Sequence, residues 1–114
     1  MARVLVVDDE PLISMLVQEW LTELGCETIG PTESVRSALD LIGTATVDGA
    51  ILDVSLNCED SYPVADVLRE RGVPIAFATG HGVHGIDSRF NDALILSKPF
   101  DFEAVKGFVA KLVP

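Results

Sequence analysis

The sequence predicts an α/β fold, a single doubly wound parallel β-sheet with helices on both faces. Five short runs, 3–7, 26–29, 49–53, 73–79 and 93–97, are mostly apolar, the pattern of strands buried on both sides. Segments of helical period or capping signals separate most of them, and alternation of strands with helices favours a parallel sheet. At 114 residues the chain fits one domain.

Each element has a local justification. Val4-Leu5-Val6-Val7 forms the first strand. A helix from Pro11 to Leu24 follows, with proline in the first turn and Gly25 closing it. Ile13, Leu16, Val17, Trp20 and Leu24 recur at helical spacing and should face the core. After the short strand 26–29, Gly30-Pro31-Thr32 reads as a turn, and Thr32 can cap a helix ending near Ile42, before Gly43.

Residues 49–53 are the third strand, and Asn57-Cys58-Glu59-Asp60 reads as a loop. Asp60 or Ser61 can cap a helix that takes Pro63 in its first turn and ends at Arg71-Gly72. Strand four spans 73–79, with Pro74 tolerable at its start. The stretch 80–92 opens with Gly80, Gly82 and Gly85; each interior glycine costs a helix about 1 kcal/mol. At most a short fourth helix in its later half, or a disordered loop, is expected. Strand five spans 93–97, and residues 101–112 form a last helix with Val105, Phe108, Val109 and Leu112 on one stripe.

Composition excludes several classes of function. The chain is 48% apolar, which separates it from disordered sequences. Its formal charge of −10, with 8 Lys and Arg, argues against nucleic acid and against anionic membrane surfaces. No apolar stretch nears the roughly 20 residues of a membrane span, and no secretory signal precedes the first strand, so a cytoplasmic location is expected. Cys26 and Cys58 carry no paired motif and are assigned no chemistry.

The chemistry sits at the carboxyl ends of the predicted strands. The first runs into Asp8-Asp9-Glu10, the third into Asp53, the fourth into Thr79-Gly80 and the fifth into Lys98-Pro99. Adjacent parallel strands would bring these ends to one crevice, where open α/β sheets bind ligands. Three carboxylates there repel one another, and a hard divalent cation such as Mg²⁺ relieves that repulsion. Lys98 supplies a point charge for a phosphoryl group and Thr79 a hydroxyl donor. Carboxylates form acyl phosphates as nucleophiles, and Asp53, alone at the middle strand's end, is the candidate.

Val-Leu-Val-Val-Asp-Asp-Glu-Pro at 4–11, Ile-Leu-Asp at 51–53, Ala-Thr-Gly at 78–80 and Ser-Lys-Pro-Phe at 97–100 resemble, in order and separation, the signature blocks of response regulator receiver domains of two-component systems. The resemblance covers essentially all of residues 1–114 and implies a receiver domain with no output domain. It implies a flavodoxin-like sheet of order 2-1-3-4-5. It also implies that Asp53 takes a phosphoryl group from the phosphohistidine of a sensor histidine kinase, or of a histidine phosphotransfer protein. Asp9 would bind Mg²⁺ directly, Asp8 mainly through water, and the Ser55 main-chain carbonyl would complete the metal site. Thr79 and Lys98 would hold the phosphoryl oxygens, with a cis Lys98-Pro99 peptide aiming the lysine. Such a protein is a signalling phosphoacceptor that catalyses only its own phosphoryl transfer and loss. It acts through a downstream protein partner, or as a phosphate sink or shuttle.

Four positions depart from the common pattern of that family: Ile95 where an aromatic residue is usual, Asn57 for proline, Ser61 for glycine, and the glycine-rich fourth helix. Ile95 cannot reproduce a ring-flipping switch. Phe77-Ala78-Thr79-Gly80 resembles a subgroup of stand-alone receivers with a Phe-Ala-Thr-Gly motif, and a switch that restructures residues 80–92 is expected instead. His81, two residues after Thr79, is a candidate for influencing hydrolysis of the acyl phosphate; His84 reads as a loop residue. Glu10 reads as a solvated helix-start charge. A flavodoxin-like FMN carrier would need a phosphate loop where Asp8-Asp9-Glu10 stands, and an aspartyl phosphatase often has a second aspartate where Ser55 stands. A receiver that binds partners without phosphorylation is a further alternative, although every group required for the chemistry is present.

Overall fold

The computed structural model describes residues 2–56, 59–80, 86–90, 92–98 and 100–112. In chain order these form β1 (Arg3–Val7), α1 (Pro11–Glu23), β2 (Glu27–Thr32), α2 (Val35–Thr44), β3 (Gly49–Asp53), β4 (Ser55–Leu56), β5 (Glu59–Asp60) and α3 (Tyr62–Glu70). Then come β6 (Ile75–Thr79), a single 3-10 turn (Ser88–Phe90), β7 (Leu94–Ser97) and α4 (Phe102–Ala110). Five strands make one parallel sheet in the order β2-β1-β3-β6-β7, and β4 pairs with β5 in a small antiparallel hairpin. With the hairpin set aside, this is the expected order 2-1-3-4-5.

Side-chain alternation along the strands builds two cores. Val4, Val6, Ile51, Ala76 and Leu96 point to the layer of α1 and α4, where they meet Val17, Leu21, Val105, Phe108 and Val109. Leu5, Val7, Ala50, Leu52 and Phe77 point the other way, onto Ala38 and Ile42 of α2 and Val64, Ala65 and Leu68 of α3. Every residue of β3 is buried, as the middle position requires. A strand covered on both faces cannot show polar alternation, which is why these runs are continuously apolar.

Several expectations need correction. Gly30-Pro31-Thr32 is the end of edge strand β2 rather than a turn, and the β1–β2 register shifts between Leu5 and Val7. An edge strand tolerates the missing proline N–H because only one side is paired. The cap of α2 is Ser34, whose hydroxyl accepts from Ser37 N–H, and not Thr32. The helix also continues through Gly43 to Thr44, where Arg71 donates to the carbonyl of Ile42 at 2.9 Å. An arginine bound to a last-turn carbonyl favours that extension.

Glu59-Asp60 belongs to the hairpin rather than to a loop. At the start of α3, Asp60 Oδ1 accepts from Tyr62 N–H (3.1 Å), whereas Ser61 Oγ is buried without a partner among the described residues. Leu16 lies outside the buried stripe of α1, which runs through Ser14, Val17 and Leu21 and is flanked by Ile13, Trp20 and Leu24. Gly25 ends α1 as expected, its φ of +79° allowing Cys26 N–H to reach back to the Leu21 carbonyl at 2.8 Å. Cys26 is buried and free. Asn57, Cys58, His81, His84 and Pro99, with the expected cis peptide, lie outside the described residues. No helix among the described residues is long and apolar enough to cross a membrane.

Candidate functional site

The carboxyl ends of β1, β3, β6 and β7 meet at one edge of the sheet. Asp8 leaves β1 with its N–H donated to the Thr32 carbonyl at 2.9 Å, which ties the site to the end of β2. Its side chain folds back so that Oδ1 accepts from Glu10 N–H at 2.8 Å, a turn that short acidic side chains favour. Asp53 ends β3 and its Oδ1 accepts from Ser55 N–H at 3.3 Å. Lys98 follows β7, anchored by its backbone N–H to the Thr79 carbonyl at 2.8 Å. The end of β6 therefore fixes where the lysine side chain starts.

The Lys98 ammonium gathers the acids. Nζ lies 2.9 Å from Glu10 Oε1, 3.0 Å from Asp53 Oδ2 and 3.5 Å from Asp8 Oδ2. Three donors face three carboxylates. Carboxylate oxygens of Asp8, Asp9, Glu10 and Asp53 all lie within 4.8 Å of one another. Thr79 is buried one strand away, its neighbour Ala78 in register with Asp53 and Thr79 itself in register with Ser97. Ser55 is exposed at the start of β4, two residues past Asp53.

The electrostatics follow from burial. Desolvation pushes Asp8 up to about 6, against the opposing pull of the Glu10 N–H and Lys98. Desolvation also raises Asp53, again opposed by Lys98. For Lys98 burial works downward, but its hydrogen bonds to Glu10 and Asp53 and the charges of Asp8 and Asp53 outweigh it and hold the ammonium above its ordinary value. One cation thus answers several acids, and the site retains excess negative charge. A cluster of hard oxygens with that excess fits a small divalent cation.

Asp8, Asp9, Asp53 and Lys98 come together as the sequence suggests. Glu10 joins them against expectation: its carboxylate turns to Lys98 instead of standing alone in solvent, and it makes no side-chain cap for α1. Only its adjacency to Asp8-Asp9 could have signalled this, because Lys98 lies 88 positions away.

Residues 4–110 match the family described as response regulator receiver domain. The solution structure of SdrG from Sphingomonas melonis Fr1 is similar at 39% identity and a TM-score of 0.87, covering 100% of this chain and 98% of that one. The response regulator TrrA of Thermotoga maritima, solved with Mg²⁺-BeF, is 32% identical with a TM-score of 0.85, covering 99% and 100%. TrrA has also been solved in complex with the histidine kinase ThkA. Among curated relatives, the sensory transduction protein LytR of Staphylococcus haemolyticus is 30% identical over 96% of this chain and 44% of its own length. The chain spans about half the length of the curated relatives it matches.

Proposed function

The chain belongs to the response regulator receiver domains of two-component signalling, and on that premise we propose that it is phosphorylated on Asp53 by a histidine kinase or a histidine phosphotransfer protein. The observation that carries this is the Lys98 ammonium at 3.0 Å from Asp53 Oδ2, at the mouth of the sheet. An Asp53 carboxylate oxygen attacks phosphorus, the phosphorus–nitrogen bond of the phosphohistidine breaks, and its electron pair returns to the imidazole. Lys98 turns its donors to a phosphoryl oxygen as Asp53 loses its charge to the acyl phosphate. Thr79, at the end of the adjacent strand, donates its hydroxyl to another.

Asp8, Asp9, Asp53 and the main-chain carbonyl of Ser55 are the groups to hold Mg²⁺. Bound there, the cation would supply charge neutralisation for the carboxylates and for a phosphoryl group. Positive charge there would favour the ionised form of buried Asp8, against the desolvation that pushes it up to about 6. No other activity is assigned to the chain than its own phosphoryl transfer and loss.

The donor protein docks along α1. Leu12, Met15 and Leu16 are exposed there, on the helix that follows Glu10, and three large apolar side chains on one helix suit a helical partner. TrrA, with its kinase partner ThkA, supports the same class of donor. The readout passes through the segment after Thr79 to a downstream protein. Within it Asp87 N–H donates to the Tyr62 hydroxyl at 2.7 Å, and Tyr62, Phe77 and Phe90 form one aromatic cluster beneath. Phosphorylation draws Thr79 towards Asp53 and loosens that contact.

The test is intact-mass analysis after incubation with Mg²⁺ and acetyl phosphate, alongside Asp53→Ala. The expected result is the gain of one phosphoryl group that needs Mg²⁺ and is lost in the variant. Absence of any gain, followed by no transfer from a phosphorylated histidine kinase, refutes the proposal.

A further inference from the structure

Beyond that reading, and resting on it, we infer that Glu10 is a specificity-determining residue that shields Lys98 from small anionic phosphodonors. Lys98 has three donors, and Glu10, Asp53 and Asp8 occupy its surroundings at 2.9, 3.0 and 3.5 Å. The side chains of Asp8 and Asp53 are 5% and 9% exposed, whereas that of Glu10 is 58% exposed. Glu10 is therefore the carboxylate on the solvent side of the ammonium, and it makes the shortest of the three contacts.

An approaching donor needs the Lys98 charge for its phosphoryl oxygens, and it meets the Glu10 charge first. In the reaction with acetyl phosphate, an Asp53 oxygen bonds to phosphorus, the bond from phosphorus to the acyl oxygen breaks, and acetate leaves with the electron pair. The donor is a dianion, so a carboxylate paired with the lysine both repels it and competes for the same N–H groups. A protein donor escapes this penalty by its place of docking. Glu10 immediately precedes α1, and its side chain makes no capping bond that would hold it there. A partner seated on Leu12, Met15 and Leu16 can displace the carboxylate with binding energy that a small molecule lacks.

The experiment compares wild type with Glu10→Gln and Glu10→Asp, following Asp53 phosphorylation with acetyl phosphate and with phosphoramidate, which carries one negative charge fewer, and measuring Mg²⁺ affinity by calorimetry. Loss of all phosphorylation in wild type, and not only an unchanged Glu10 variant, is what defeats the underlying function. For the inference, Glu10→Gln is expected to raise kcat/KM for acetyl phosphate by about fivefold, the equivalent of about 1 kcal/mol for one charge near the surface. The gain with phosphoramidate should be smaller, and Mg²⁺ affinity should stay within about twofold of wild type. Glu10→Asp, which keeps the charge but is one methylene too short to hold the lysine at the same distance, should fall between wild type and Glu10→Gln. Three results overturn the inference: equal acetyl phosphate kinetics in wild type and Glu10→Gln; Glu10→Asp matching wild type, which leaves only a diffuse charge effect; or a tenfold fall in Mg²⁺ affinity, which makes Glu10 a metal ligand.

Discussion

Lys98 Nζ stands 3.0 Å from Asp53 Oδ2 although 45 positions separate the two residues, and the Thr79 carbonyl, from the strand between them, holds the Lys98 backbone at 2.8 Å. The pair is set by sheet register, since β6 lies between β3 and β7. Its role in stability is separable from its role in chemistry.

Lys98→Met removes the cation that faces Asp8 and Asp53 and leaves two buried carboxylates without it. Without Mg²⁺ at pH 7, thermal or urea unfolding should show a loss of about 1–3 kcal/mol. The loss should shrink at pH 5, where the carboxylates can take up protons, and on adding Mg²⁺. A variant as stable as wild type under all three conditions contradicts this account.

Asp8 gives the protein an inverted pH dependence. Its folded-state value of about 6 exceeds the ordinary carboxylate value of 3.8 because of desolvation. Between those pH values the folded state binds a proton that the unfolded state has released, so this contribution is present in acid and lost as pH rises through about 6. In metal-free buffer the stability of wild type relative to Asp8→Asn should therefore fall by on the order of 2 kcal/mol between pH 4 and pH 7. Paired unfolding curves at the two pH values measure it. A difference independent of pH excludes a raised Asp8.

Tyr62→Phe deletes the acceptor for Asp87 N–H while keeping the ring against Phe77 and Phe90. Stability should fall by about 0.5–1.5 kcal/mol. Amide exchange at Asp87 should quicken, and a beryllofluoride phosphoryl mimic should accelerate exchange across 86–90 in wild type more than in the variant. Identical exchange with and without the mimic in wild type rules out this path for the readout.

Gly30→Ala tests the link between the sheet edge and the site. At φ +94° an added Cβ would meet Thr32 N at 2.9 Å, both strained and crowded against backbone that cannot step aside. Because the Thr32 carbonyl accepts from Asp8 N–H, the damage should reach the site. The expected outcome is a loss of about 1–3 kcal/mol together with weaker Mg²⁺ binding, read by urea unfolding and calorimetry. An unstrained, fully Mg²⁺-competent variant would remove this coupling.

The sequence by itself determined the fold class, the order of the five main strands through family resemblance, and the set of charged groups at their ends. Continuous apolar runs such as Val4–Val7, Ala50–Leu52 and Ala76–Ala78, alternating with helical segments, pointed to strands covered by helices on both faces. Local capping chemistry was legible where one signal stood alone, as at Gly25, and misread where several hydroxyls competed, as Thr32 lost to Ser34. Tertiary structure alone decided what the charges do to one another. The turn of Glu10 towards Lys98, the arginine that lengthens α2 and the bond between Tyr62 and Asp87 all join residues distant in the chain, and the raised Asp8 follows from its burial. Burial and through-space Coulomb interaction depend on distances that no local pattern encodes, whereas helix and strand periodicity is a property of neighbours along the chain.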